Sequence, residues 1–143
     1  MTPKDRAQAS ARALAKGDQA SKWAGIEIVE VDEGEATLAL KVHEVHTNGH
    51  GIGHGGVTFL LADSAFAFAC NSRNRAAVAQ HNTITYLAPA KLGDVLTATA
   101  VEVALKGRSG ITDVTVTNQN GDQIALFRGV SRATGGTLFE EPT

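Results

Sequence analysis

The chain has a single cysteine, Cys70, among its 143 residues, so no intramolecular disulfide can form. No apolar run is long enough to cross a bilayer. The best candidate, Val57–Cys70, is fourteen residues long and carries an acid near its centre. No charge of one sign dominates: 13 Lys and Arg stand against 15 Asp and Glu, interspersed, for a formal charge of −2. That balance excludes the basic face expected of a nucleic-acid partner or an anionic membrane. The opening Met1-Thr2-Pro3-Lys4-Asp5-Arg6 leads into an Ala-rich, polar segment without the hydrophobic stretch of a secretory signal, and the expected compartment is the cytoplasm. Repeats and low-complexity segments are absent. The length suits one domain over residues 1–143, with a core of its own.

What is present is concentrated in one stretch. His46-Thr47-Asn48-Gly49-His50-Gly51-Ile52-Gly53-His54-Gly55-Gly56 is a polar, glycine-rich loop, and Val57–Cys70 after it is apolar on every side except at Thr58, Asp63 and Ser64. Apolarity all round predicts a helix buried in the middle of the fold rather than lying on it. Its start near Gly55 and Gly56 leaves backbone N–H groups open, and with the helix dipole these favour negative charge. Asp63 lies nine residues after His54, about two and a half turns along at ~3.6 residues per turn. An ionised carboxylate in such a setting costs several kcal/mol unless it is paired. Two readings follow: a buried acid satisfied by backbone or a subunit partner, or a group for acyl chemistry with oxyanion donors at the helix tip.

The remaining pattern alternates. Thr2 or Asp5 can start a first helix that Gly17 stops, and a short turn over Asp18–Trp23 follows, making 1–24 a helical N-terminal segment. Ile26–Val31 and Ala36–Val42 read as a hairpin around Asp32-Glu33-Gly34. After the helix come strands over 76–86, 95–106, 111–118 and 123–133, with turns at Gly107-Arg108-Ser109-Gly110 and Asn120-Gly121. Residues 135–143 read as a loose tail. The expected architecture is α+β, a strongly curved antiparallel sheet wrapped around the long helix. A sheet covers only one side of such a helix, so the other side calls for a second sheet face or a second subunit.

The order of elements, the loop His46-Thr47-Asn48 … His54-Gly55-Gly56, the helical Asp63 and the segment Tyr86-Leu87-Ala88-Pro89-Ala90-Lys91-Leu92-Gly93-Asp94 resemble the hot-dog-fold acyl-CoA thioesterases, and within them the phenylacetate-pathway (PaaI-type) branch. The resemblance extends over roughly Trp23 to Gly136. It implies Asp63 as nucleophile or general base, and the Gly55 N–H as the donor to the thioester oxygen. It also implies that Asn48 orients water or thioester from the partner subunit, and that His54 shapes the loop and assists polarisation. It implies a dimer as the active unit, commonly paired into a tetramer, and aryl-acetyl-CoA substrates such as phenylacetyl- or hydroxyphenylacetyl-CoA. No cofactor is implied, because coenzyme A belongs to the substrate. Some relatives carry a Ser or Thr early in the strand after the helix; the aligned position here is Ala79, followed by Gln80, His81, Asn82 and Thr83, which leaves the accessory group on this strand open.

Other residues take secondary parts in this expectation. Gly56 lies at the helix start, and Leu60 or Phe66 can touch the acyl group, although Phe59, Phe66 and Phe68 suit a core equally. Lys91, Lys106, Arg108, Arg128 and Arg132 are candidates for the coenzyme A phosphates. His43, His46, His50 and His54 invite a metal, but zinc spacings are missing and no acidic cluster completes a site, so none is expected. Gly49, Gly51 and Gly53 have neither the strand of a dinucleotide fold nor a P-loop lysine and read as turn glycines. A hydratase or dehydratase acting on acyl thioesters is the second enzymatic reading, and an acyl-CoA-binding sensor module the non-enzymatic one. The first lacks its Pro-rich loop here, and the second lacks a basic DNA-binding appendage.

Overall fold

The computed structural model describes all residues, Met1–Thr143. Its elements run α1 (Pro3–Lys16), α2 (Gln19–Ala24), β1 (Glu27–Asp32), β2 (Glu35–Lys41), α3 (Gly55–Cys70), β3 (Ala77–Tyr86), β4 (Val95–Lys106), β5 (Ser109–Thr117) and β6 (Gln123–Ala133). Thr2, rather than Asp5, caps α1: its hydroxyl accepts from the Asp5 N–H while the Asp5 carboxylate accepts from the Thr2 N–H. The strands form one antiparallel sheet in the order β1-β2-β4-β5-β6-β3. This is the hot-dog architecture, α+β, with α3 as the filling.

The apolar composition of α3 explains its position. Leu61, Ala62, Ala65, Phe66, Phe68 and Ala69 are buried against inward residues of the sheet, including Leu38, Leu96, Val114 and Phe127. Small residues on the helix let it sit close to the strands. At Gly129 in β6 the approach is tightest: a Cβ there would fall 2.7 Å from the Phe66 ring, so only glycine admits that ring. Phe66, 1% exposed and tilted against Phe127 at 5.8 Å, is thereby a core residue.

Coverage of α3 is incomplete on one flank. Gly56, Leu60, Asp63 and Ala67, spaced as one face of a helix, stay partly open beside β3. β3 itself is a ten-residue edge strand, mostly exposed, with its outer backbone groups unpaired in the chain. A long open edge next to an open helix face is a place where a second chain can pair.

Residues 135–143 are not a loose tail. Asn74, in the left-handed region at φ 57°, accepts from the Leu138 and Phe139 N–H groups and donates to the Phe139 carbonyl. Arg6 binds Glu141 at 3.0 Å, and the Ala76 N–H donates to the Gly136 carbonyl. A side chain well away in sequence supplies the hydrogen bonds that the segment, lacking helix or strand, cannot make for itself. No helix is long and apolar enough to cross a membrane.

Candidate active site

The tip of α3 is prepared for an anion by what its loop does with the other amides. The His54 ring caps the helix, its Nδ1 accepting from the Gly56 N–H at 2.8 Å. The His54 carbonyl accepts from Val57 at 2.9 Å and Thr58 at 3.3 Å. The Gly55 N–H alone among the first four has no acceptor. Capping therefore isolates one donor, and it also commits the ring nitrogen and the Gly56 amide that the sequence had offered for binding.

The loop reaching this point is held on both sides. His46 is buried; its Nε2 donates to the Ala24 carbonyl at 2.8 Å while Nδ1 accepts from the His43 N–H at 2.9 Å. The Gly53 N–H donates to the Ala90 carbonyl at 2.6 Å. Asn48 Oδ1 accepts from the His50 N–H at 2.9 Å and the Ile52 N–H at 3.4 Å, which leaves its amide nitrogen as the free donor. Asn48 and Gly55 line one groove of about 360 Å³, with Ile52, Leu87, Pro89 and Ile124 among its apolar walls. Two N–H donors on an apolar groove can receive a carbonyl oxygen and the uncharged body of an acyl group.

Tyr86, which the sequence places at the end of a strand and the head of the Tyr86–Asp94 segment, fixes the tip. Its hydroxyl donates to the Gly55 carbonyl at 2.7 Å, and a Cβ on residue 55 would lie 3.1 Å from both Cζ and the hydroxyl oxygen. Gly55→Ala should push the first turn off the ring and misaim the free amide. The expected result is a loss of about 100-fold in kcat, the effect of losing one oxyanion donor, with the fold retained by circular dichroism. Unchanged kcat would show that the amide is not used.

Asp63 is partly buried, and its Oδ1 accepts from Asn82 Nδ2 of β3 at 3.0 Å. Burial pushes its carboxyl above the ordinary aspartate value, and the Asn82 hydrogen bond draws it part of the way back. Helix and strand keep step here. Asn82, Ile84 and Tyr86 share the inward face of β3, so that Asn82 meets Asp63 where Tyr86 meets Gly55. Eight helical residues rise about 12 Å, and four strand residues advance about 13 Å. Within one chain, then, the carboxylate and the free amide stand roughly 12 Å apart along α3, and Asp63 does not line the groove.

The other candidates disperse. Leu60 is half-buried beside the core, outside the groove, and Phe66 is inside the core. Lys91 is exposed at the groove's rim, where it bridges to Ile52. Lys106 and Arg108 flank the β4–β5 turn, whose Arg108 carbonyl binds the Ala133 N–H. Ala133 pairs with Ala77, so that turn lies at the end of β3 remote from Tyr86. Arg128 is not free for phosphate, because Asp113 holds it through two hydrogen bonds of 2.6 and 2.9 Å. The sequence leaves the accessory group among residues 79–83 open and gives Tyr86 no role; the structure places Asn82 against Asp63 and Tyr86 against Gly55.

The model of the thioesterase superfamily matches residues 50–125. The acyl-coenzyme A thioesterase PaaI of Escherichia coli is 44% identical over 137 residues, 95% of this chain and 97% of that one. The solved structure of the E. coli PaaI protein, from the phenylacetic acid degradation operon, superposes with a TM-score of 0.93 at 43% identity, covering 95% of this chain and 99% of that one. A Streptococcus mutans structure described as bound to acetyl CoA superposes at 0.76 with 29% identity, covering 78% and 90%.

Proposed function

This chain belongs to the thioesterase superfamily and is an acyl-CoA thioesterase of the PaaI type, and from that premise we propose that it hydrolyses aryl-acetyl-CoA thioesters, such as phenylacetyl- or hydroxyphenylacetyl-CoA, to the free acid and coenzyme A. The observation that carries this reading is the lone free N–H of Gly55 on an apolar groove. The thioester oxygen sits against Gly55 N–H and Asn48 Nδ2, which stabilise the negative charge that develops on attack. Ile52, Leu87, Pro89 and Ile124 receive the acyl body. Coenzyme A enters as substrate, and no separate cofactor takes part.

The attacking group comes from a second copy. A carboxylate must come within ~3.5 Å of the carbonyl carbon, directly or through one water, and the separation along α3 is too long for Asp63 of the same chain. Two chains joined antiparallel along β3 reverse that offset and bring Asp63 of each to the groove of the other. Asn48 and Gly55 then belong to one chain and Asp63 to its partner. The same pairing carries the partner's Lys106 and Arg108 toward the groove end marked by Lys91, where the phosphates of coenzyme A need cations. The dimer is the active unit, and two dimers form a tetramer. The working compartment proposed with this activity is the cytoplasm.

A hydrolysis screen tests the substrate class. Across aryl-acetyl, short-chain and long-chain acyl-CoAs, kcat/KM for phenylacetyl-CoA should exceed that for acetyl-CoA by at least about tenfold, since an apolar pocket gains roughly that from each added methylene or more. A preference for long aliphatic chains would overturn the aryl assignment while leaving the thioesterase in place.

A further inference from the structure

β3 carries a β-bulge between Ala79 and His81. Beyond it, Asn82 and Ile84 point inward while Thr83 and Thr85 point to the outer face beside Arg128. The bulge thus sets which side chain meets Asp63. Asn82 pairs across the sheet with Gly129, over which the Phe66 ring lies. Its amide nitrogen bonds Asp63 Oδ1, and its own oxygen is buried without any partner. A flipped amide would set that oxygen against a carboxylate oxygen, so the donating orientation is the one an ionised Asp63 enforces.

No cation competes for this role. Arg128 pairs with Asp113 on the outer face, and Arg73 pairs with Glu102 and Glu33 at the C-terminal end of α3. His81 is exposed, and Asp18 is occupied capping α2 through Ser21. The Cys70 thiol, further along α3, is pushed up to about 12 by burial, then by the nearby Glu102 charge and to a lesser extent by Asp63, so it stays neutral.

We infer that Asn82 is the positioning residue of the thioesterase site: its amide holds one oxygen of Asp63, keeps the carboxylate ionised inside an apolar flank, and leaves the second oxygen free to face the thioester. The inference rests on the proposed role of Asp63. It assigns to Asn82 the accessory function that Ala79, with no hydroxyl, cannot perform.

Asn82→Leu removes the donor while keeping the number and branching of the side-chain heavy atoms, and Asn82→Asp replaces it at nearly constant volume with a second acid. In both, the acid limb of the kcat/KM profile should move to higher pH, further in Asn82→Asp, because the proton on Asp63 is no longer opposed by a donor. Near the wild-type limb kcat should fall about tenfold with KM nearly unchanged, the signature of lost orientation rather than lost binding. Carbon-13 NMR titration of the Asp63 carboxyl in wild type and both variants reads the same displacement without reference to turnover. A carboxyl that titrates alike in all three overturns the inference, as does a uniform loss of activity with an unmoved limb. A displaced carboxyl in a protein that hydrolyses no acyl-CoA would uphold Asn82 as the partner of Asp63 and refute the catalytic reading instead. Should Asn82→Leu fail to fold, Asn82→Asp carries the same comparison.

Discussion

Asp63→Asn lowers kcat by about a thousandfold or more, the scale of losing a general base or nucleophile, while the protein gains stability at neutral pH. Both results come from one cause. Burial raises the carboxyl above its ordinary value, and nothing but the Asn82 amide offsets the cost of ionising it. The fold therefore favours the protonated form. That advantage is present in full below the ordinary aspartate value of 3.8 and is lost as pH rises through the raised folded value. At neutral pH the enzyme carries an acid it would be more stable without, the usual bargain at a catalytic position. Asparagine has the same shape and no charge. Its melting temperature should exceed wild type by a few degrees at pH 7, with the difference vanishing in acid. Activity has the opposite pH sense, because the reaction uses the ionised form and falls as pH drops through the raised value. Wild-type turnover in Asp63→Asn would end the assignment, and unchanged melting would show the carboxylate to be better solvated than its surroundings indicate.

Much of this could be read from the sequence because local chemistry decided it. Val57–Cys70 is apolar all round, and α3 occupies Gly55–Cys70 at the centre of the sheet. The turns at Gly107 and Gly121, both with positive φ, ended strands where turn residues said they would. The failures come from long-range choices. Nothing in Ala77–Tyr86 shows that it is an edge strand next to β6, nor that a bulge near Gln80 brings Asn82 rather than His81 inward. Alternation cannot reveal this, since Ala79, Gln80, His81, Asn82 and Thr83 contain no apolar side chain larger than alanine to mark the inner face. Tyr86 was hidden for a related reason. Its bond to the Gly55 carbonyl spans 31 residues and depends on helix and strand advancing at matched rates. His46 and His54, which suggested a ligand set, are loop fasteners, a role visible only once Ala24 and Gly56 are beside them. The tail was misread because its anchor, Asn74, lies more than sixty residues away.

Mixing two inactive variants restores activity. If each site takes Asp63 from one chain and Asn48 with Gly55 from the other, Asp63→Asn and Asn48→Ala damage opposite halves of the same site. Each homodimer then has two broken sites. A heterodimer has one site with both lesions and one with neither. Co-folded at equal concentration, half the dimers are mixed and half of their sites are intact, so about a quarter of wild-type activity returns from parents that each have almost none. The result distinguishes a composite site from a self-contained one more sharply than any single substitution, since a site within one chain gives no recovery at any mixing ratio. It is demanded by the separation of roughly 12 Å along α3 between the group that attacks and the group that receives charge, each held by its own residue of β3. A proline placed at Ala79 provides the complementary control. It would remove a β3 amide donor and constrain the backbone at the open edge; a variant that stays folded as a monomer should lose turnover with every catalytic side chain still present. Activity that survived in such a monomer would mean that one chain can close the gap alone and would overturn the composite site.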